Sequence, residues 1–138
     1  MTLDDIIAFT AGLDGVLTLR PAPGDGSPEI AWGDVFFYYA PDGVLPGGQP
    51  FATVVTKDYP DDTGSRLDRE GAFRVNAAAG KDAVRRHPTE GPDDTVLAHP
   101  VYGGWLAVTN PGPRTSDAVR ELLRAAHERA RSRHERRA

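Results

Sequence analysis

The chain has 138 residues, a formal charge of −4, 39% hydrophobic and 26% charged residues, and no cysteine. That balance describes one folded domain able to bury its own core and excludes a disordered chain. The absence of thiols excludes disulfides, thiolate metal sites and a cysteine nucleophile, and it suits a reducing cytoplasm.

The charge is uneven. Residues 114–138 carry eight arginines against four acids, so the −4 divides into +4 there and −8 over residues 1–113. No apolar run approaches the roughly 18–20 residues a membrane span needs. The start, M-T-L-D-D-I-I, is acidic and lacks the cationic opening of a signal peptide. A cytoplasmic protein with no membrane partner is the expectation.

Thr2 with Asp5 reads as a capping box, followed by an apolar helical face at Leu3, Ile6, Ile7 and Ala11. That helix should stop near Gly12, with a short strand at 16–19 after Asp14-Gly15. Residues 21–28, P-A-P-G-D-G-S-P, form a loop. A long strand is expected from Ile30 to Tyr39 and a second from Phe51 to Lys57, joined through the Pro/Gly-rich stretch 40–50. The first strand is apolar on both faces, so it lies inside a covered sheet or lines a pocket with one face.

An acidic loop, 58–64, and a polar segment, 65–70, precede a strand at 72–76. Residues 81–87 offer one or two helical turns before Pro88. Segments 96–102 and 105–109 should pair as strands around Gly103-Gly104. Thr115 or Ser116 caps a last helix whose stripe is Val119, Leu122, Leu123, Ala126 and Ala130. The domain is expected to span 1–130, and 131–138 to be a solvated, frayed, Arg-rich tail.

The motifs W-G-D-V-F-F-Y-Y, P-F-A-T-V-V-T-K-D-Y-P, S-R-L-D-R, F-R-V-N, H-P-V-Y and W-L-A-V-T-N-P, in this order, resemble an actinobacterial domain family of unknown function. More distantly, the layout of opening helix, three strands, helix, two strands and closing helix is similar to the MmcQ/YjbR-like proteins. That resemblance implies a two-layer α+β fold and, as one alternative, DNA binding of the double-wing type. It implies no catalytic residue.

Several motifs fail. G-D-G-S-P-E (24–29) lacks the third glycine and the following helix of a dinucleotide loop, and Gly80-Lys81 is followed by Asp82 where a phosphate loop needs Ser or Thr. A calcium loop starting at Asp58 would put Pro60 and Arg69 at ligand positions. Ser27 and Ser65 lie outside a nucleophile elbow. His127 and His134 are seven apart, where a zinc helix needs four, so both are assigned to a solvated face. No metal, cofactor or catalytic residue is expected.

What stands out is polarity inside apolar strands: Asp34, Lys57, Arg74, Asn76 and His99. A buried charge must be paired, so Asp34 with Arg74 or Lys57 is the structural account. As a site, these residues form the polar floor of a ligand pocket with Trp32, Tyr38, Tyr102 and Trp105 as walls. Acid/base catalysis would need His99 to converge with a carboxylate such as Asp34. Four acids interleave the arginines of the last helix, which favours a salt-bridged face over a phosphate-binding one. The reading is a single α+β domain of five or six antiparallel strands with helices from both ends of the chain packed on it. Its expected role is a non-enzymatic module with a small-molecule pocket. DNA binding is the alternative, an uncharacterised enzyme comes third, and the ligand and oligomeric state stay open.

Overall fold

In the computed structural model, which describes residues 1–137, a capping box opens the chain as the sequence predicts. Thr2 Oγ1 accepts from the Asp5 N–H at 3.1 Å, and the Asp5 carboxylate accepts from the Thr2 N–H at 2.9 Å. Helix α1 then runs Leu3–Ala11 and ends on Gly12. Six strands follow, β1 (Val16–Leu19), β2 (Val35–Tyr39), β3 (Ala52–Val55), β4 (Arg74–Ala78), β5 (Leu97–Ala98) and β6 (Trp105–Thr109). A short α2 (Lys81–Arg85) lies between β4 and β5, and α3 (Ser116–Arg137) closes the fold.

All strands join one antiparallel sheet in the order β1-β2-β3-β4-β6-β5. Strand alternation sends Val35, Phe37, Ala52, Val54, Val75, Ala77 and Val108 to one face. There they pack with Ile6 of α1 and Val119, Leu123 and Ala126 of α3 in the main core. The opposite face carries Phe36, Tyr38, Thr53, Val55, Arg74, Asn76 and Trp105. No helix covers it. The β3–β4 connection does so in part, burying Leu67 and Ala72 against Val55 in a second, smaller cluster.

Three expected strands are shorter than predicted, for local reasons. The first begins at Val35 because Glu29–Ala31 form a 3₁₀ turn and Gly33 takes φ +86, a left-handed conformation that interrupts extension. The second ends at Val55, since the Thr56 N–H bonds the Asp34 carboxylate at 2.8 Å. The 96–102 strand shrinks to Leu97–Ala98. There the His99 ring takes the Val101 and Tyr102 N–H groups at 3.1 and 3.0 Å, and Pro100 has none to offer.

The last helix begins where expected, but its cap comes from elsewhere. Asp94, at φ +56, accepts from the Gly112 and Thr115 N–H groups through Oδ1 and from the Arg114 N–H through Oδ2. The helix continues to Arg137, past the end of its apolar stripe; residue 138 of the expected tail lies outside the described residues. His127 corrects the solvated-face expectation. It is buried, its Nε2 lies 2.6 Å from the Asp14 carbonyl, and its ring meets Tyr39 and Phe51 edge-on. His134 is exposed but also rests edge-on against Tyr39. Among the described residues, no helix is long and apolar enough to cross a membrane.

Candidate functional site

The uncovered part of the second sheet face is a cleft of about 390 Å3. Its floor is strand: Phe36 and Tyr38 from β2, Thr53 from β3, Arg74 and Asn76 from β4, and Trp105 from β6. Its rim is loop: Ile30 and Tyr59 on one side, His99, Val101 and Tyr102 on the other, with Asp61 and Asp62 between β3 and β4. Period-2 alternation makes such a surface, since every second residue of each strand must face away from the helices.

Arg74 is the centre of the polar floor and is 2% exposed. Asp62 grips it bidentately, with Nη1 to Oδ1 at 3.0 Å and Nη2 to Oδ2 at 2.5 Å. Nη1 also donates to Ser65 Oγ at 3.1 Å, and Nε donates to Asn76 Oδ1 at 2.8 Å. Asn76 Nδ2 donates in turn to Thr53 Oγ1 at 3.0 Å. The remaining Nη2 N–H lies against His99 Nε2 at 3.2 Å. The guanidinium therefore has no donor turned to open space. Burial alone pushes the Asp62 carboxyl up, but Arg74's hydrogen bonds and charge outweigh it and hold the group below its ordinary range.

His99 is buried, and desolvation, followed by the charge of Arg74, holds its pKa down at about 4 against weaker pulls from Asp62 and Asp61. The ring is neutral near pH 7. Because Nδ1 accepts two backbone N–H groups, its single proton sits on Nε2, 4.0 Å from Asp62 Oδ2. Tyr102 stacks on this ring at 4.8 Å and lies 6.2 Å from Trp105, while staying 59% exposed.

A second cluster stands beside the cleft. Asp34 is 1% exposed, and its Oδ1 accepts from the Thr56 N–H, Thr56 Oγ1 and Lys57 Nζ at 2.8, 3.0 and 3.0 Å. Its Oδ2 takes the Tyr59 hydroxyl. Burial, then the bond to Asp34, raises the Tyr59 pKa far above the usual phenol value. The Trp32 carbonyl receives Lys57 Nζ at 2.7 Å, and the Trp32 indole N–H is buried without a partner among the described residues.

The sequence-selected residues thus divide. Arg74, Asn76, His99, Tyr102 and Trp105, with Tyr38, line the cleft. Trp32, Asp34 and Lys57 do not; they belong to the neighbouring cluster. Of the two partners expected for Asp34, Lys57 is the one it has at 3.0 Å, and Arg74 belongs to Asp62. Sequence reasoning missed Tyr59, Asp62 and Ser65. A tight turn pairs Tyr59 with Asp62 and sends one side chain to each cluster. The only signal for it was acidity: a buried arginine requires a carboxylate, and 58–64 is the acidic loop after the expected 51–57 strand.

No group of three or more His, Asp or Glu among the described residues is arranged to hold a metal. Comparison with curated proteins and with solved structures gives no match. A family model described as a family of unknown function, DUF6194, matches residues 1–138, and the chain belongs to that family.

Proposed function

We propose that this protein is a non-enzymatic binding module whose ligand is a small molecule seated in the cleft on the helix-free sheet face. One observation carries the reading. A space of about 390 Å3, within the usual range for ligand sites, is walled by aromatic rings over a polar floor whose charges are already paired. Such a floor is preorganised: ligand entry need not break the Arg74–Asp62 pair. The same pairing argues against acid/base work, because Asp62 is tied to Arg74 and the neutral His99 ring has Nδ1 occupied. A cytoplasmic setting belongs to this reading.

The test is a thermal-shift screen of metabolites, nucleotides and metals on the wild type and on Tyr102→Ala, which removes an exposed wall. A true ligand present at about 100 times its Kd adds about 2.7 kcal/mol of stability, and the variant should lose most of that gain. Stabilisation unchanged in the variant would put binding elsewhere.

A DNA-binding role is the second reading, favoured by Arg129, Arg133 and Arg136 gathered on one surface of α3. It ranks lower. Arg120, Arg124 and Arg131 each pair with an acid three residues earlier, so the helix surface is partly self-neutralised. Kinship to the MmcQ/YjbR-like proteins rests on the order of elements alone, and four strands precede α2 in this fold.

A further inference from the structure

We propose that the cleft selects an organic cation, an arylalkylammonium or quaternary ammonium, over neutral or anionic ligands of the same shape. The inference rests on the pocket reading above and adds the sign of the ligand's charge.

Two carboxylates, Asp61 and Asp62, line the cleft against one guanidinium, Arg74, and the His99 ring is neutral near pH 7. The bidentate contact cancels Arg74 against Asp62. Asp61 is left: an exposed carboxylate on the rim that enters no salt bridge among the described residues. The nearest lysine on this side of the sheet, Lys57, is outside the cleft and committed to Asp34. The ionised side chains lining the cleft therefore carry a net negative charge. An anion would meet Asp61 and find little of the guanidinium to bond, since four of Arg74's N–H groups have acceptors and the fifth is turned to the His99 ring and buried with the rest of the side chain.

The walls point the same way. Phe36, Tyr38, Tyr59, Tyr102 and Trp105 turn toward one space, and the negative faces of aromatic rings attract a cation brought close to them. Tyr102 and Trp105, 6.2 Å apart and inclined at 58°, make a corner of two rings, and Tyr102 is open enough to be reached from solvent. Ile30 and Val101 are exposed on the two sides of the rim and offer the hydrocarbon part of such a ligand an apolar seat at the mouth. An aromatic corner with a carboxylate at its edge suits an ammonium group on an apolar body.

The experiment compares phenethylamine, phenethyl alcohol and hydrocinnamate, which share a body and differ in charge. Binding is followed by the NMR shift of the Trp105 indole N–H in the wild type and in Asp61→Asn. Asp61 is exposed, so that variant folds. Phenethylamine should bind about five- to thirtyfold more tightly than the alcohol, the gain expected from ring faces and one rim carboxylate together. Hydrocinnamate should bind most weakly, and Asp61→Asn should shrink the amine's advantage several-fold. Equal binding of amine and alcohol, or a preference for hydrocinnamate, overturns the cation inference and leaves the pocket standing. An amine advantage untouched by Asp61→Asn overturns the role of Asp61. If none of the three moves the Trp105 resonance at millimolar concentration, the cation inference falls and the metabolite screen alone decides the pocket.

Discussion

Asp34 and Arg74 are both buried charges on the helix-free side, yet each has its own partner, and the energetics should separate accordingly. Arg74→Ala strands a buried carboxylate and should cost about 3–5 kcal/mol by urea unfolding, as should Asp62→Ala, with the double variant losing less than the sum. Asp34→Ala combined with Arg74→Ala should be nearly additive, because the two share no partner. Lys57→Ala would leave the buried Asp34 carboxylate with neutral donors only. It should cost about 1–3 kcal/mol, less than Arg74→Ala because Lys57 is 29% exposed and water can take the place of its ammonium. His99 sets the pH response. Its folded pKa of about 4 lies below the ordinary 6.5, so the stability due to the neutral ring is complete above pH 6.5 and drains away as pH falls toward 4. That loss should reach about 3 kcal/mol, and His99→Gln should flatten the stability profile between those two pH values. A variant profile as steep as the wild type's would remove His99 as the cause.

At the scale of elements, α3 is held by its stripe and by a borrowed cap. Leu123 is fully buried and Leu122 only half-buried, so Leu123→Ala should cost about 2–5 kcal/mol and Leu122→Ala less. We propose that the folding unit ends with the stripe at Ala130. Deleting 131–138 should then cost about 1 kcal/mol or less, the scale of the His134–Tyr39 edge contact. A deletion that unfolds the protein would move the boundary. Asp94 joins the loop before β5 to the start of α3. The Thr115 hydroxyl, followed by three backbone N–H groups, holds its pKa down at about 2. A depressed carboxyl contributes stability above its ordinary 3.8 that is lost as pH falls toward 2. Asp94→Asn should therefore lower the melting temperature at neutral pH and have little effect near pH 2, readable by calorimetry.

For the whole molecule, the two sheet faces divide the labour. One is sealed by α1 and α3, and the other is strapped by the β3–β4 loop. Arg74–Asp62, Tyr59–Asp34 and the bidentate Arg69–Asp93 pair, at 3.0 and 3.1 Å, tie that strap down. The strap stops short of the β5–β6 turn, which leaves the cleft. Charge is divided as well, with a net +4 over residues 114–138 and a net −8 over residues 1–113. If the α3 arginines serve only a solvated face, duplex DNA at near-physiological salt should bind more weakly than about 10⁻⁴ M. Tight binding that survives such salt and vanishes on deleting 131–138 would promote the DNA reading over the pocket.

The α+β class, the capping box at Thr2, the stop at Gly12 and the apolar stripe of α3 were legible in the sequence because each is set by interactions within a few residues. Alternation in V-F-F-Y-Y likewise announced a strand with two apolar faces. Which charges pair was not legible, because hydrogen-bonding partners in this fold are chosen by strand register and loop closure. Asp34 finds Lys57 across 23 positions, and Arg74 finds Asp62 across 12. Local periodicity carries no record of such distances. The same holds for Asp94 capping a helix about 20 residues away, and for His127, whose seven-residue spacing from His134 suggested a shared solvated face. Only the assembled sheet decides that His127 meets Phe51 while Tyr102 is left at the open edge, since burial is a property of what packs above a residue.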